Sequence, residues 1–171
     1  MGLCCNVEED PKELINNMKL KLKAIKTKAE TKIDEKNKEI EKCKELAKFN
    51  LKNGNEEEAE NQIGPKQLNQ KIIELLQVQI GIIDDQILEL ENTEVNQDIT
   101  GIIDSIDKKI KKIEYDIDNR ELAEKAGKIL EEENNKLNIL EELRQLEAEV
   151  NKWSKANTDN LVNDDGQSSK E

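Results

Sequence analysis

The side chains best suited to covalent chemistry stand at the start of this sequence, MGLCCNVEEDPKEL. Gly2 after Met1 is what N-myristoyl transfer requires, although Asn6 stands where Ser or Thr is usual. Cys4 and Cys5 are adjacent thiols of the kind that take a palmitoyl thioester. One myristoyl chain binds a bilayer only marginally, with a constant of about 10⁴ M⁻¹, so a second acyl chain would make the anchor durable. The sequence predicts a lipidated segment over residues 1–10 with Gly2, Cys4 and Cys5 as acceptors. The plain alternative is a common second residue followed by two incidental cysteines.

No catalytic constellation is expected elsewhere. There is no His, so a general base near neutral pH would have to be a perturbed carboxylate or lysine. The seven glycines are scattered and form no phosphate loop. The three cysteines, Cys4, Cys5 and Cys43, have neither disulfide nor zinc-ligand spacing and suit a reducing compartment. The reading is therefore a non-enzyme with no cofactor and no metal.

A second kind of chemistry is electrostatic. Lys19, Lys21, Lys23, Lys26, Lys28 and Lys32 oppose a single acid, Glu30, across that stretch. Near an anionic leaflet each lysine can add up to about 1 kcal/mol of attraction, which makes these six the expected membrane-binding residues. The competing reading is a solvated helix face. Nucleic acid is not expected, because the net charge is −12 and no aromatic residue interleaves the lysines.

The elements that must carry these residues are helices. Charged residues make up 39% of the chain and aromatics 2%, a profile of long helices or coiled coil. Asp10-Pro11-Lys12-Glu13 predicts a capped start. An apolar stripe through Ile15, Met18, Leu22, Ile25, Ala29, Ile33, Ile40, Cys43 and Ala47 then predicts helix 1 over 11–52, ended by Asn53-Gly54. A second stripe, Leu68, Ile72, Leu76, Ile80, Ile83, Ile87 and Leu90, predicts helix 2 over about 55–92, kinked or restarted at Gly64-Pro65. Isoleucines from Ile99 to Ile113 predict a third helix, and Asp118 to Glu121 a capping box that opens a fourth. Ile139, Leu140, Leu143 and Leu146 mark a fifth helix ending near Trp153, with a disordered tail over 154–171.

The fold class expected is all-α. Helices 1 and 2 would form a long antiparallel hairpin, with helices 3–5 packing on it or extending from it. Charge divides along the same line. Residues 11–52 hold 13 Lys against 7 acids, a balance of +6, while residues 1–10 carry −3 and residues 53–171 carry −15. Halves so charged can attract each other, or an anionic surface can compete for the basic one. No run of about 18 apolar residues predicts a membrane span, so the location expected is cytoplasmic.

A basic first helix, a tight turn, a matched second helix, short third and fourth helices and an acidic remainder resemble the ESCRT-III proteins, the charged multivesicular body proteins. The turn AKFNLKNGNEEEAE, Ala47 to Glu60, is similar to the family's hairpin turn, and ILEELRQLEAEV, Ile139 to Val150, to its fifth helix. The Met1-Gly2 start is similar to that of the family's myristoylated, filament-nucleating member. The resemblance covers residues 11–153 and implies a subunit peripheral on endosomal membrane, acting in multivesicular body formation, cargo sorting and scission. It implies a homo- or hetero-polymer with other ESCRT-III subunits, an upstream ESCRT-II partner and a downstream AAA ATPase. It also implies partner binding through Ile139, Leu140, Leu143 and Leu146. Leu140, Leu143, Arg144 and Leu146 approximate the family's ATPase-docking pattern out of register. The rival readings are a coiled-coil scaffold or tether, cytosolic or lipid-anchored, without a polymer switch, and a lipid-anchored regulator binding a partner helix.

Overall fold

The computed structural model describes residues 10–93, 98–118, 120–133 and 135–162. The acyl acceptors expected at Gly2, Cys4 and Cys5 lie outside these residues. The described chain is all-α, with five helices and, among the described residues, no strand. They are α1 (Pro11–Lys52), α2 (Glu56–Asn92), α3 (Ile99–Asp118), α4 (Glu121–Glu132) and α5 (Asn135–Val162).

Local chemistry sets the helix ends. The Lys12 amide donates to Asp10 Oδ1 at 3.0 Å, so Asp10 caps α1 just ahead of Pro11. At the other end Gly54 adopts φ +76°, the left-handed conformation that costs a side chain dearly. Its amide donates to the Leu51 carbonyl at 3.1 Å and the Asn55 amide to the Asn50 carbonyl at 2.9 Å. This pair of bonds is a Schellman cap. Asp98 caps α3 by accepting from the Gly101 amide at 3.1 Å.

Two boundaries differ from expectation, and of the two alternatives at Gly64-Pro65 the restart is not the one taken. α2 runs through Pro65 as one helix from Glu56 to Asn92, with no restart. Pro65 withholds one amide from the ladder, and burial on either side, at Ile63 and Lys66, holds the helix across the gap. Asp118 is the last residue of α3 and not the cap of α4, because its carboxylate is taken by Lys28 of α1. Finally, α5 continues past Trp153 to Val162.

α1 and α2 pack together, and the chain divides into two compact units. The first comprises residues 1–35 and 72–126, and holds the start of α1, the end of α2, α3 and the start of α4. Its core is apolar and fully closed at Leu22, Leu76, Ile83, Leu90, Ile106, Ile110 and Ile117. The second unit comprises residues 36–71 and 127–171. Its core is small: Ala47, Ala59, Ile63 and Leu146 are buried, with Leu51, Ile139 and Leu143 packed against them. Ala47 and Ala59 flank the turn, and side chains that small let α1 and α2 approach closely there.

Candidate functional site

Five of the six lysines expected to face a membrane have partners within the first unit. Lys19 Nζ lies 3.7 Å from Glu91 Oε1 and Lys26 Nζ 2.7 Å from Asp84 Oδ1, both on α2. Lys21 Nζ is 2.5 Å from Asp107 Oδ1 of α3. Lys28 pairs with Asp118, and Lys32 donates to the Ile117 carbonyl at the end of α3, where a cation meets the negative pole of the helix. Lys28, Thr31, Lys32, Glu35 and Ile117 line a shallow cleft of about 290 Å³ there. Of the six, Lys23 alone is exposed with no side-chain partner among the described residues.

The electrostatics follow the contacts. Hydrogen bonds from Lys111 and Lys21 hold the Asp107 carboxyl below its ordinary range. The hydrogen bond to Asp84 raises Lys26 above its ordinary value.

A second cluster sits in the core of the same unit. Asp116 of α3 is 6% exposed and accepts from Lys125 Nζ at 2.9 Å and from Gln79 Nε2 at 3.4 Å. Burial pulls the Asp116 carboxyl upward, but hydrogen bonds with Glu121 and Lys125 outweigh it and the net direction is down. Glu121 moves the other way, raised chiefly by its hydrogen bond with Asp116. The cluster ties α2, α3 and α4 at the α3–α4 corner.

In the second unit the four expected partner-binding residues separate. Leu146 is buried, Ile139 and Leu143 pack against the same core, and Leu140 is 50% exposed. Three of them thus hold α5 to its own chain, beside a groove of about 150 Å³ that Leu51, Leu140 and Leu143 help to line. Polar contacts reinforce the docking. Glu142 meets Lys66 and accepts from Gln67 Nε2 at 2.9 Å, and Glu149 lies 2.6 Å from Lys48. The Lys48 hydrogen bond lowers the Glu149 carboxyl.

Asp107, Asp116, Lys66 and Glu142 were not singled out by sequence reasoning. The available signal was polar residues on the apolar stripe of α2. Ile72, Leu76, Gln79, Ile83, Gln86 and Leu90 repeat at steps of four and three, and all six are buried. Gln79 and Gln86 each meet a charged side chain of α3, Asp116 and Lys109.

Among the described residues no group of three or more His, Cys, Asp or Glu side chains is placed to hold a metal ion. Among the same residues no helix is long and apolar enough to cross a membrane. The arrangement is one of charge contacts between helices. A search of protein-family models, curated proteins and solved structures found no match to this chain.

Proposed function

We propose that this chain is an ESCRT-III-like polymer subunit, anchored by lipid at Gly2 with Cys4 or Cys5, that nucleates filaments on endosomal membrane. In this reading α1 and α2 form a long antiparallel hairpin. Partners that descend α2 from Glu91 to Asp84 as α1 ascends from Lys19 to Lys26 support it. The filament serves multivesicular body formation, cargo sorting and scission, with ESCRT-II upstream, other ESCRT-III subunits alongside and an AAA ATPase downstream.

One observation carries the proposal. Acids of α2, α3 and α5 pair with the lysines of α1: Glu91, Asp84, Asp107 and Asp118 in one unit and Glu149 in the other. An anionic bilayer offers those lysines the same charge at higher density, so membrane and acidic helices compete for one surface.

Flotation on anionic vesicles with negative-stain microscopy tests it, comparing the intact chain with a full-length variant carrying Asp84→Asn, Glu91→Gln, Asp107→Asn, Asp118→Asn and Glu149→Gln. The reading expects that variant to float and form filaments while the intact, unacylated chain stays in solution. Two species that behave alike, as discrete particles indifferent to vesicles, would favour the scaffold.

A further inference from the structure

The first unit leaves large apolar side chains in water on two helices. On α1, Leu20 is 66% exposed; on α2, Val78 is 62%, Ile82 40% and Leu88 56% exposed. Leu20, Lys23, Ala24 and Thr27 recur at offsets of three, four and seven, so they share one outward face. Val78, Gly81, Ile82 and Asp85 recur at the same offsets on α2. Each face carries one small exposed residue, Ala24 and Gly81, and a Cβ at Gly81 would meet nothing within 4 Å. Small residues at such a place let two helices approach closely.

Charge decides what covers them. Residues 16–28 of α1 hold five lysines and no acid, and residues 72–92 of α2 hold five acids and no Lys or Arg. The contacts within the chain use Lys19 with Glu91 and Lys26 with Asp84. Lys23, Asp85 and Glu89 remain exposed and unpaired among the described residues. An acidic rim around Val78 and Ile82 repels an anionic bilayer and calls for a basic amphipathic helix. The outward face of α1 offers Leu20 and Ala24 beside the exposed Lys23.

We infer that the Leu20–Ala24 face of α1 in one copy docks on the Val78–Ile82 face of α2 in a second copy. Either face against itself would oppose like charges, so the contact joins unlike surfaces. The pair then keeps one unused face of each kind, one on each copy, so the contact can propagate head to tail. The inference rests on the polymer reading and names its subunit contact.

Two variants of the full chain test it by analytical ultracentrifugation, with and without anionic vesicles. Leu20→Glu blocks the α1 face, and Val78→Gln with Ile82→Gln blocks the α2 face. All three positions are exposed, so circular dichroism and the urea midpoint should match the unaltered chain. The unaltered chain should assemble as concentration rises. Each variant alone should stay monomeric to at least about tenfold higher concentration. An equimolar mixture of the two should stop at dimers, because only one intact pair of faces remains. Variants that assemble like the unaltered chain, or a mixture that stays monomeric, would overturn the inference and leave the polymer reading standing. An unaltered chain that stays monomeric at every concentration, with and without vesicles, would also overturn the inference, while the polymer reading is decided separately by the flotation of the acid-to-amide variant.

Discussion

Lys66 of α2 sits against Glu142 of α5 with both side chains turned from solvent, 8% and 18% exposed. A lysine so placed is tolerated only with its counter-charge. Glu142→Ala takes the paired carboxylate from a buried ammonium and leaves it only Glu41 and Glu149 nearby, so the cost should approach the ~3–5 kcal/mol typical of breaking a buried pair. Urea unfolding should show that loss, and hydrogen exchange should show α5 opening. Replacing both partners, Lys66→Met with Glu142→Leu, should recover most of the stability, since well-packed apolar pairs often equal a buried ion pair.

Leu20 and Leu22 test the packing of α1. They are two residues apart, yet Leu20 is 66% exposed and Leu22 is fully buried. Leu22→Ala should cost about 2–5 kcal/mol, the usual range for a core leucine. Leu20→Ala should change monomer stability by about 0.5 kcal/mol or less, as for an ordinary surface site.

Acid should loosen the charge contacts. Asp107 and Glu149 are held below their ordinary values of 3.8 and 4.5 by lysine hydrogen bonds. A depressed carboxyl contributes stability above its unfolded value and loses it as pH falls through the folded one. Stability should therefore hold near neutrality and decline once pH drops below about 4. Glu121 is raised and opposes this trend weakly from the α3–α4 corner. Lys26 is raised above 10.5, so its contribution is intact below that pH and is lost as pH rises through its folded value. A urea midpoint measured from pH 3 to 11 checks both arms.

Lysine acetylation followed by mass spectrometry should rank the six lysines of α1. Lys23 should react fastest, because Lys19, Lys21, Lys26, Lys28 and Lys32 are engaged. Molar salt should narrow the difference by screening the exposed pairs. Equal rates at low salt would contradict the ion pairing described.

Much of the fold was legible because α1 keeps its apolar period. Ile15, Met18, Leu22, Ile25, Ala29, Ile40 and Ala47 are all buried as the stripe requires. The Asn53-Gly54 turn was legible for the same kind of local reason, since left-handed backbone selects glycine. On α2 the expected stripe is buried at Ile72, Leu76, Ile83 and Leu90, but the seam also takes in Lys66, Asn69, Gln79 and Gln86, which an apolar period does not mark. Their burial depends on partners distant in sequence, such as Asp116 for Gln79 and Glu142 for Lys66, and no local pattern encodes those. The six lysines were legible as a cluster, but their occupation was not. Which acid meets which lysine is fixed by the register of α2 and α3 against α1, through pairs as remote as Lys21 with Asp107. Leu146 read as a partner-facing residue for a similar reason. Its stripe is apolar whether α5 meets another protein or the Ala47–Ala59 surface of its own chain.

The central claim is that acidic side chains occupy the lysines an anionic membrane would otherwise engage. The most direct measurement is flotation on anionic vesicles of the unacylated full chain carrying Asp107→Asn, Asp118→Asn and Glu149→Gln, which removes partners of Lys21, Lys28 and Lys48. The control carries Glu45→Gln, Glu58→Gln and Glu132→Gln, three exposed acids unpaired among the described residues, for the same change in net charge. The account predicts that the first variant floats at moderate salt while the control and the unaltered chain stay behind. Equal flotation of the two variants, or none by either, would contradict it.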